Sequence, residues 1–442
     1  MRDDGEPTTE TGAGSGSAAP SFSDALKEWA RIGLLSFGGP TAQIALMHRV
    51  VVDERKWLTE SQFLNALSFC MLLPGPEAMQ LATYAGWRLH GVAGGLAAGL
   101  LFVVPGALVV LGLALVYALY GNVPVIAAIF FGIKAAVLVI VLEALLRISR
   151  RALGSPAHWA IAAASFVGIF ALGLPFPVII LAAAAAGLLL AKGAGEAESV
   201  AAPAVAPART VATIGIWLAV WTLPLALLAA VFGRDHVLAQ LFVFFSKLAV
   251  VSFGGAYAVL AYMTDTVVKT HGWLQAGQML DGLGLAETTP GPLILVTEFV
   301  GFLAAFRWGG GDPVLMGVLG ALVALWATFA PCFLWIFAGA PYIERLHAQP
   351  RLRGALSGIT AAVVGVILNL AVWFGMHVFF RDVARVEAGP FRFIVPDPAT
   401  LDWRVVVLAL VTGVLLLRLK WGIAAVLGVA AALALAIRQL GL

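Results

Sequence analysis

Apolar and polar positions along this chain fall into long blocks rather than alternating residue by residue. Apolar stretches run over about 25–50, 62–87, 92–119, 124–146, 157–173, 175–191, 211–232, 237–263, 278–305, 314–338, 355–379, 405–417 and 421–440, with short polar or charged turns between them. A helix needs roughly 20 apolar residues to cross the hydrocarbon of a bilayer, so most blocks predict membrane helices, and 157–191 predicts two short ones. Strands of a membrane barrel would alternate apolar and polar positions, and these blocks do not. The predicted fold is all-α, a polytopic membrane protein. Residues 1–20 are rich in Gly, Ser, Thr and acids, and predict a disordered tail rather than a cleaved leader. Residues 192–209 predict an exposed, flexible linker.

Composition agrees and narrows the function classes. Of 442 residues, 61% are hydrophobic and 12% charged, about half the charge of an ordinary soluble chain. The net charge of +3 comes with no basic tract, so nucleic acid is not an expected partner. Cys70 and Cys332 both lie in apolar segments, which indicates neither a disulfide framework nor a thiolate metal site. The seven histidines are scattered near loops without metal-ligand spacing. HExxH, GxSxG, Walker A and CxxC motifs are absent from the sequence, so no catalytic residue, metal or cofactor is expected. The 48 glycines and 22 prolines are many for plain spanning helices and point to interrupted ones.

Those residues recur in register. Residues 31–76 align without a gap on 247–292 at an offset of 216, with 17 identities over 46 positions. Ser36-Phe37-Gly38-Gly39 falls on Ser252-Phe253-Gly254-Gly255, Gln62 on Gln278, and Pro74-Gly75-Pro76 on Pro290-Gly291-Pro292. The match resumes at an offset of 226, where Pro105 meets Pro331 and Gly132 meets Gly358. Loop charge sets the relative orientation of the copies. The helix carrying Lys134 ends in Arg147, Arg150 and Arg151, whereas its counterpart is preceded by Arg345, Arg351 and Arg353. Positive residues mark the cytoplasmic side, so the two helices point in opposite directions. Three apolar stretches between the copies supply the odd number of crossings that inversion needs. The organisation read from this is a tail (1–20), a first repeat (22–155), connecting helices with the linker (156–235), a second, inverted repeat (236–380), and a loop with C-terminal helices (381–442). Inverted repeats with broken helices are the pattern of secondary transporters and some channels.

Each copy carries two breaks. Gly38-Gly39-Pro40 and Gly254-Gly255 interrupt one block, while Pro74-Gly75-Pro76 and Pro290-Gly291-Pro292 interrupt another. Irregular backbone at membrane depth persists only where protein or a water-filled cavity satisfies its polar groups. A half-helix N-terminus at each break presents N–H groups and a positive dipole end, suited to an anion. Pro40 and Pro76 suit the first helical positions after these breaks. The candidate substrate-binding residues are Arg31, Ser36, Gly38, Gly39, Gln43, Lys247, Ser252, Gly254 and Gly255, and Pro40 with the two proline-glycine-proline triplets are candidate gating breaks. Proton-coupling candidates are Glu77, Glu143, Lys134 and Glu298, since an ionisable residue within the membrane is functional by default. Plainer readings stand beside these. The breaks can be packing kinks, Arg31 and Lys247 interfacial anchors, Glu143 a partner of Arg147 four residues on, and Glu77 a helix-dipole residue that would repel an anion.

The motifs resemble a known family. Trp29-Ala-Arg-Ile-Gly-Leu-Leu-Ser-Phe-Gly-Gly-Pro40, then Gln43, His48 and Trp57, is similar to the opening of the chromate ion transporters. Leu73-Pro-Gly-Pro-Glu-Ala-Met-Gln-Leu-Ala-Thr-Tyr84 resembles their second signature block, and Ser252–Leu260, Trp273 and Thr289-Pro-Gly-Pro292 resemble the second-copy versions. The chain looks like the long, two-domain form. The resemblance implies a multi-pass carrier of the bacterial inner membrane that exports chromate and confers resistance, with sulfate as competitor and the lipid bilayer as surroundings. A homodimer is compatible with it. Transport of sulfate, molybdate or an organic anion, or an anion channel on the same repeat, are the alternatives.

Overall fold

The structure is a computed structural model that describes residues 20–121, 123–191, 207–253, 256–343, 350–389 and 391–440. The expected tail up to residue 19, most of the 192–209 linker, and the candidate residues Gly254 and Gly255 lie outside the described residues. The fold is all-α apart from one β-hairpin, and it includes five helices long and apolar enough to cross a membrane.

The first copy opens with α1 (Phe22–Leu35), capped by the Ser21 side chain, and α2 (Gly39–His48), which continues into a π-helical turn over Arg49–Glu54. Then come α3 (Glu60–Leu72), α4 (Glu77–Tyr120) and α5 (Pro124–Ala152). Helix α4 is two helices joined at His90–Gly91, where Gly91 takes φ +62°. Helices α6 (Pro156–Phe170), α7 (Phe176–Leu190) and α8 (Pro207–Val231) lead to the second copy. That copy comprises α9 (Val237–Val251), α10 (Ala256–Asp265) with its π-helical turn Thr266–Thr270, α11 (Ala276–Thr288), α12 (Val296–Trp308), α13 (Pro313–Gly339) and α14 (Pro350–Phe379). Strands β1 (Val383–Ala388) and β2 (Phe391–Pro396) pair antiparallel before α15 (Trp403–Gly413) and α16 (Ile423–Gln439). Helices α3 and α11 both begin with capping boxes, Thr59 with Gln62 and Gln275 with Gln278, which accounts for the repeated glutamine.

The broken blocks are hairpins that return to the end they came from. Glu28 of α1 pairs with Arg55 just beyond α2, and the Trp29 and Trp57 rings lie 5.8 Å apart. Helices α9 and α10 fold alike, with Phe244 and Trp273 rings also 5.8 Å apart. The hairpin of α3 and early α4 shares the base of the first. His48 bonds Glu60 at the start of α3 (2.6 Å), and the His90 ring bonds the Pro20 carbonyl (2.8 Å). In the second copy His236 bonds the Gly309 carbonyl (2.9 Å), closing the same base around α9 and α12.

The repeat extends into flanking helices. Pro156 and Phe176 begin α6 and α7, and Trp403 and Ile423 begin α15 and α16, both pairs 247 residues apart. Each helical pair packs on the long helix of the other copy, α6–α7 on α14 and α15–α16 on α5. Small residues permit the approach. A Cβ on Gly132 would meet the Ala430 carbonyl oxygen at 2.2 Å, and one on Gly358 would meet that of Ala183 at 2.3 Å. His158 bonds Ser357 (3.1 Å) and Gly187 abuts Gly354, so both ends of the α6–α7 pair lie at the start of α14. That pair returns on itself and α8 carries the chain across, which keeps the number of crossings odd.

Candidate functional site

The four breaks meet tip to tip. The Gly75 N–H donates to the Ser252 carbonyl (3.0 Å), and the Gly291 N–H donates to the Ser36 carbonyl (2.9 Å). These are the same contact made in both directions, because Gly75 corresponds to Gly291 and Ser36 to Ser252. The turns need glycine. Gly38, Gly39, Gly75 and Gly291 all have positive φ, between +76° and +119°. Each proline-glycine-proline tip rests on the proline-containing helix of the other copy. A Cβ on Gly106, next to Pro105, would meet the Pro290 carbonyl oxygen at 2.0 Å, and one on Gly75 would meet Cys332 Sγ, next to Pro331, at 2.8 Å.

Gln43 ties the junction together from one side. Its Nε2 donates to the Ser36 carbonyl (3.1 Å) and the Gly291 carbonyl (2.6 Å), while its Oε1 has no partner among the described residues. The second copy has Val259 at that position. The Ser36 and Ser252 hydroxyls donate back to their own helices, at Ile32 (2.6 Å) and Ala249 (2.8 Å). Pro40 is the second residue of α2, and Pro76 is the N-cap of α4, one position earlier than the sequence pattern predicts, with Glu77 as the first helical residue. Between the tips lies a void of about 20 Å³, lined by Gly75, Ser252 and Thr328 among others. That is room for about one water.

The predicted charges lie elsewhere. Arg31 is exposed on α1 and reaches Glu28 (3.4 Å) and Glu54 (3.5 Å), and Lys247 is exposed on α9; neither lines the central void. Glu143 pairs with Arg147 at 3.2 Å. Glu298 is buried, and its Oε2 has no partner among the described residues. Lys134 reaches across the copies to Asp281 (3.3 Å), which also accepts from the Tyr117 hydroxyl (2.8 Å). Glu287 accepts from Tyr257 at 2.6 Å. The pairing of Lys134 with Asp281 had a sequence signal. Both are charges found in one copy only, opposite Thr360 and Asn65, but spacing does not say that they meet. Among the described residues no group of three His, Cys, Asp or Glu could hold a metal.

Larger cavities flank the junction. One of about 630 Å³ lies between α3, α4, α8 and the end of α13, at the end where the first copy's hairpins have their bases. Another, of about 420 Å³, borders Lys134, His377, Arg381 and Asp402 at the opposite end. There, outside the spanning segments, hydrogen bonds from the Arg404 side chain (2.6 and 2.8 Å) hold the Asp402 carboxyl below the usual carboxylate range.

Comparison with known proteins places the chain. A family model described as chromate transporter matches twice, over residues 23–188 and 239–436, each match running through the flanking helical pair. The chain is 32% identical over 348 residues to a probable chromate transport protein of Synechococcus elongatus, covering 78% of this chain and 82% of that protein. It is 29% identical over 432 residues to a chromate transport protein of Cupriavidus metallidurans, covering 94% and 93%, and 32% identical over 360 residues to one of Pseudomonas aeruginosa, covering 78% and 79%. No solved structure matches.

Proposed function

Because the chain belongs to the chromate transporter family, we propose that it is a secondary carrier of the bacterial inner membrane that exports chromate by alternating access and confers chromate resistance. The observation that carries this reading is the reciprocal tip contact, Gly75 to Ser252 and Gly291 to Ser36. Two homologous halves that meet through one contact made in both directions can exchange the open and closed roles by a rigid rocking motion. The void of about 20 Å³ between the tips is too small for a four-oxygen anion, which favours a carrier over a standing pore.

The route passes the break at Ser36, Gly38 and Gly39, the Gln43 side chain and the end of α9 at Ser252. Opening the tips frees the Gly75 and Gly291 N–H groups for the oxyanion. Arg31 and Lys247 stand at the outer faces of the hairpins and act on approach rather than at the centre. Glu298 and Glu77 are the coupling candidates nearest the second hairpins of the two copies. Energy is available without ATP. Each charge is worth about 2.3 kcal/mol per 100 mV, so a dianion leaving a negative cytoplasm releases about 4.6 kcal/mol per 100 mV, more than 10³-fold.

Flux into everted vesicles tests the proposal. We expect chromate uptake that sulfate inhibits and that an interior-positive potential accelerates. Vesicles that take up sulfate or another anion, but no chromate above background, overturn the substrate assignment.

A further inference from the structure

The cavity of about 630 Å³ has a lining unlike that of the equivalent region in the other copy. Arg88 of α4 and Arg209 of α8 both border it, with Gln62, Asn65, Thr210 and Thr213. Among the described residues no Asp or Glu lines it and neither arginine has an ion-pair partner. Two guanidiniums with amide and hydroxyl groups, facing a space large enough for a hydrated anion, form an arrangement that favours tetrahedral oxyanions over cations.

Pseudo-symmetry gives a different set of residues at the equivalent positions of the second copy. Residues 62 and 65 correspond to Gln278 and Asp281. In the second copy Gln278 is taken by Arg307 (2.8 Å), and Asp281 is held by Lys134 and Tyr117. The counterpart of Asn65 is therefore a partnered acid, whereas the first copy's positions border the cavity with Arg88 and Arg209. Helix α8 makes the difference. It lies outside the repeat, has no counterpart, and supplies Arg209, Thr210 and Thr213. It is fixed in place by Thr210 bonding the Tyr342 hydroxyl (2.8 Å) and by Trp217 stacking on Phe333 (5.5 Å between centroids). The cavity also lies at the arginine-rich end, the cytoplasmic one by the distribution of positive charge.

We propose that this cavity is a cytoplasmic vestibule that binds the oxyanion before the tips open, with Arg88 and Arg209 as its anion ligands. The inference rests on the carrier reading above and adds a loading site to it. The phosphate of an anionic lipid would engage the same guanidiniums, so the test separates the two sources.

The full chain is reconstituted in nanodiscs of phosphatidylcholine alone or with phosphatidylglycerol, and binding of sulfate is measured by calorimetry. Arg88→Gln and Arg209→Gln each raise the sulfate Kd about 10–100-fold, the range for one charge-assisted hydrogen bond. Arg88→Lys and Arg209→Lys recover part of the loss, and unchanged melting of all four variants shows that they fold. In everted vesicles the glutamine variants raise the KM for the transported anion more than they lower kcat. Equal sulfate affinity in wild type and both glutamine variants overturns the vestibule. So does sulfate affinity that is unchanged by the variants while phosphatidylglycerol retention is lost, which identifies a headgroup site. Arginine-dependent sulfate binding without any chromate flux leaves the vestibule standing and removes the chromate assignment instead.

Discussion

Replacing Lys134 by methionine tests how the two copies are held together opposite the vestibule. Lys134 Nζ lies 3.3 Å from Asp281, whose side chain is 3% exposed, while that of the lysine is 30% exposed. At that distance and an effective dielectric of about 20 the attraction is about 5 kcal/mol, to be discounted because the lysine is partly solvated. Lys134→Met leaves a carboxylate buried with one hydrogen bond, from Tyr117, and with Oδ1 unpartnered among the described residues. Breaking a buried pair in this way costs about 3–5 kcal/mol. Asp281→Leu is milder, about 1–2 kcal/mol, because Lys134 can turn its ammonium toward the adjoining cavity and only the Tyr117 hydroxyl loses its acceptor. The double variant Lys134→Met with Asp281→Leu replaces the pair by apolar groups and should recover most of the loss. Thermal unfolding of the detergent-solubilised chain measures all four corners of this cycle. A double variant no more stable than Lys134→Met alone, or an Asp281→Leu loss as large as that of Lys134→Met, would refute the reasoning.

Three further outcomes follow from the same geometry. Gly106→Ala should abolish transport, since its Cβ would lie 2.0 Å from the Pro290 carbonyl oxygen, whereas Gly112→Ala, with nothing within 4 Å, should transport like wild type. Gln43→Leu leaves the Gly291 carbonyl without its donor, while the Ser36 carbonyl keeps the Gly291 N–H, and should cost about 1–3 kcal/mol of stability by melting, a loss that a Val259→Leu control does not show. Asp402 has its folded-state pKa depressed by Arg404, so its contribution is present above the ordinary carboxylate pKa and is lost as pH falls through the lower folded value. Acid titration of the α15 end, followed by exchange of its amides, should therefore show opening below about pH 4, and Asp402→Asn should remove that dependence.

Much of the architecture was legible in the residues. The breaks announced themselves because Gly-Gly and Pro-Gly-Pro cannot continue a helix, and their return 216 residues later fixed two copies. The opposed arginine clusters gave the inversion. The further repetition of α6–α7 in α15–α16 was hidden by apolar sequences with few distinctive residues, and by the β-hairpin that shifts the register to 247. Arg31 looked like a ligand because it stands five residues before Ser36. Its acceptors, Glu28 and Glu54, come together only once α2 doubles back on α1.

The sequence by itself determined that this is a membrane protein of two inverted, homologous halves with paired breaks, since hydropathy, loop charge and backbone-breaking residues are local properties. Only the tertiary structure decided that the broken blocks are hairpins rather than full crossings. Both alternatives bury the same apolar residues, and because two segments change together they leave every loop charge on the same side. It also decided that the hairpin tips meet. Those bonds join backbone N–H to backbone C=O, groups that every position but proline carries, so no side chain records the encounter.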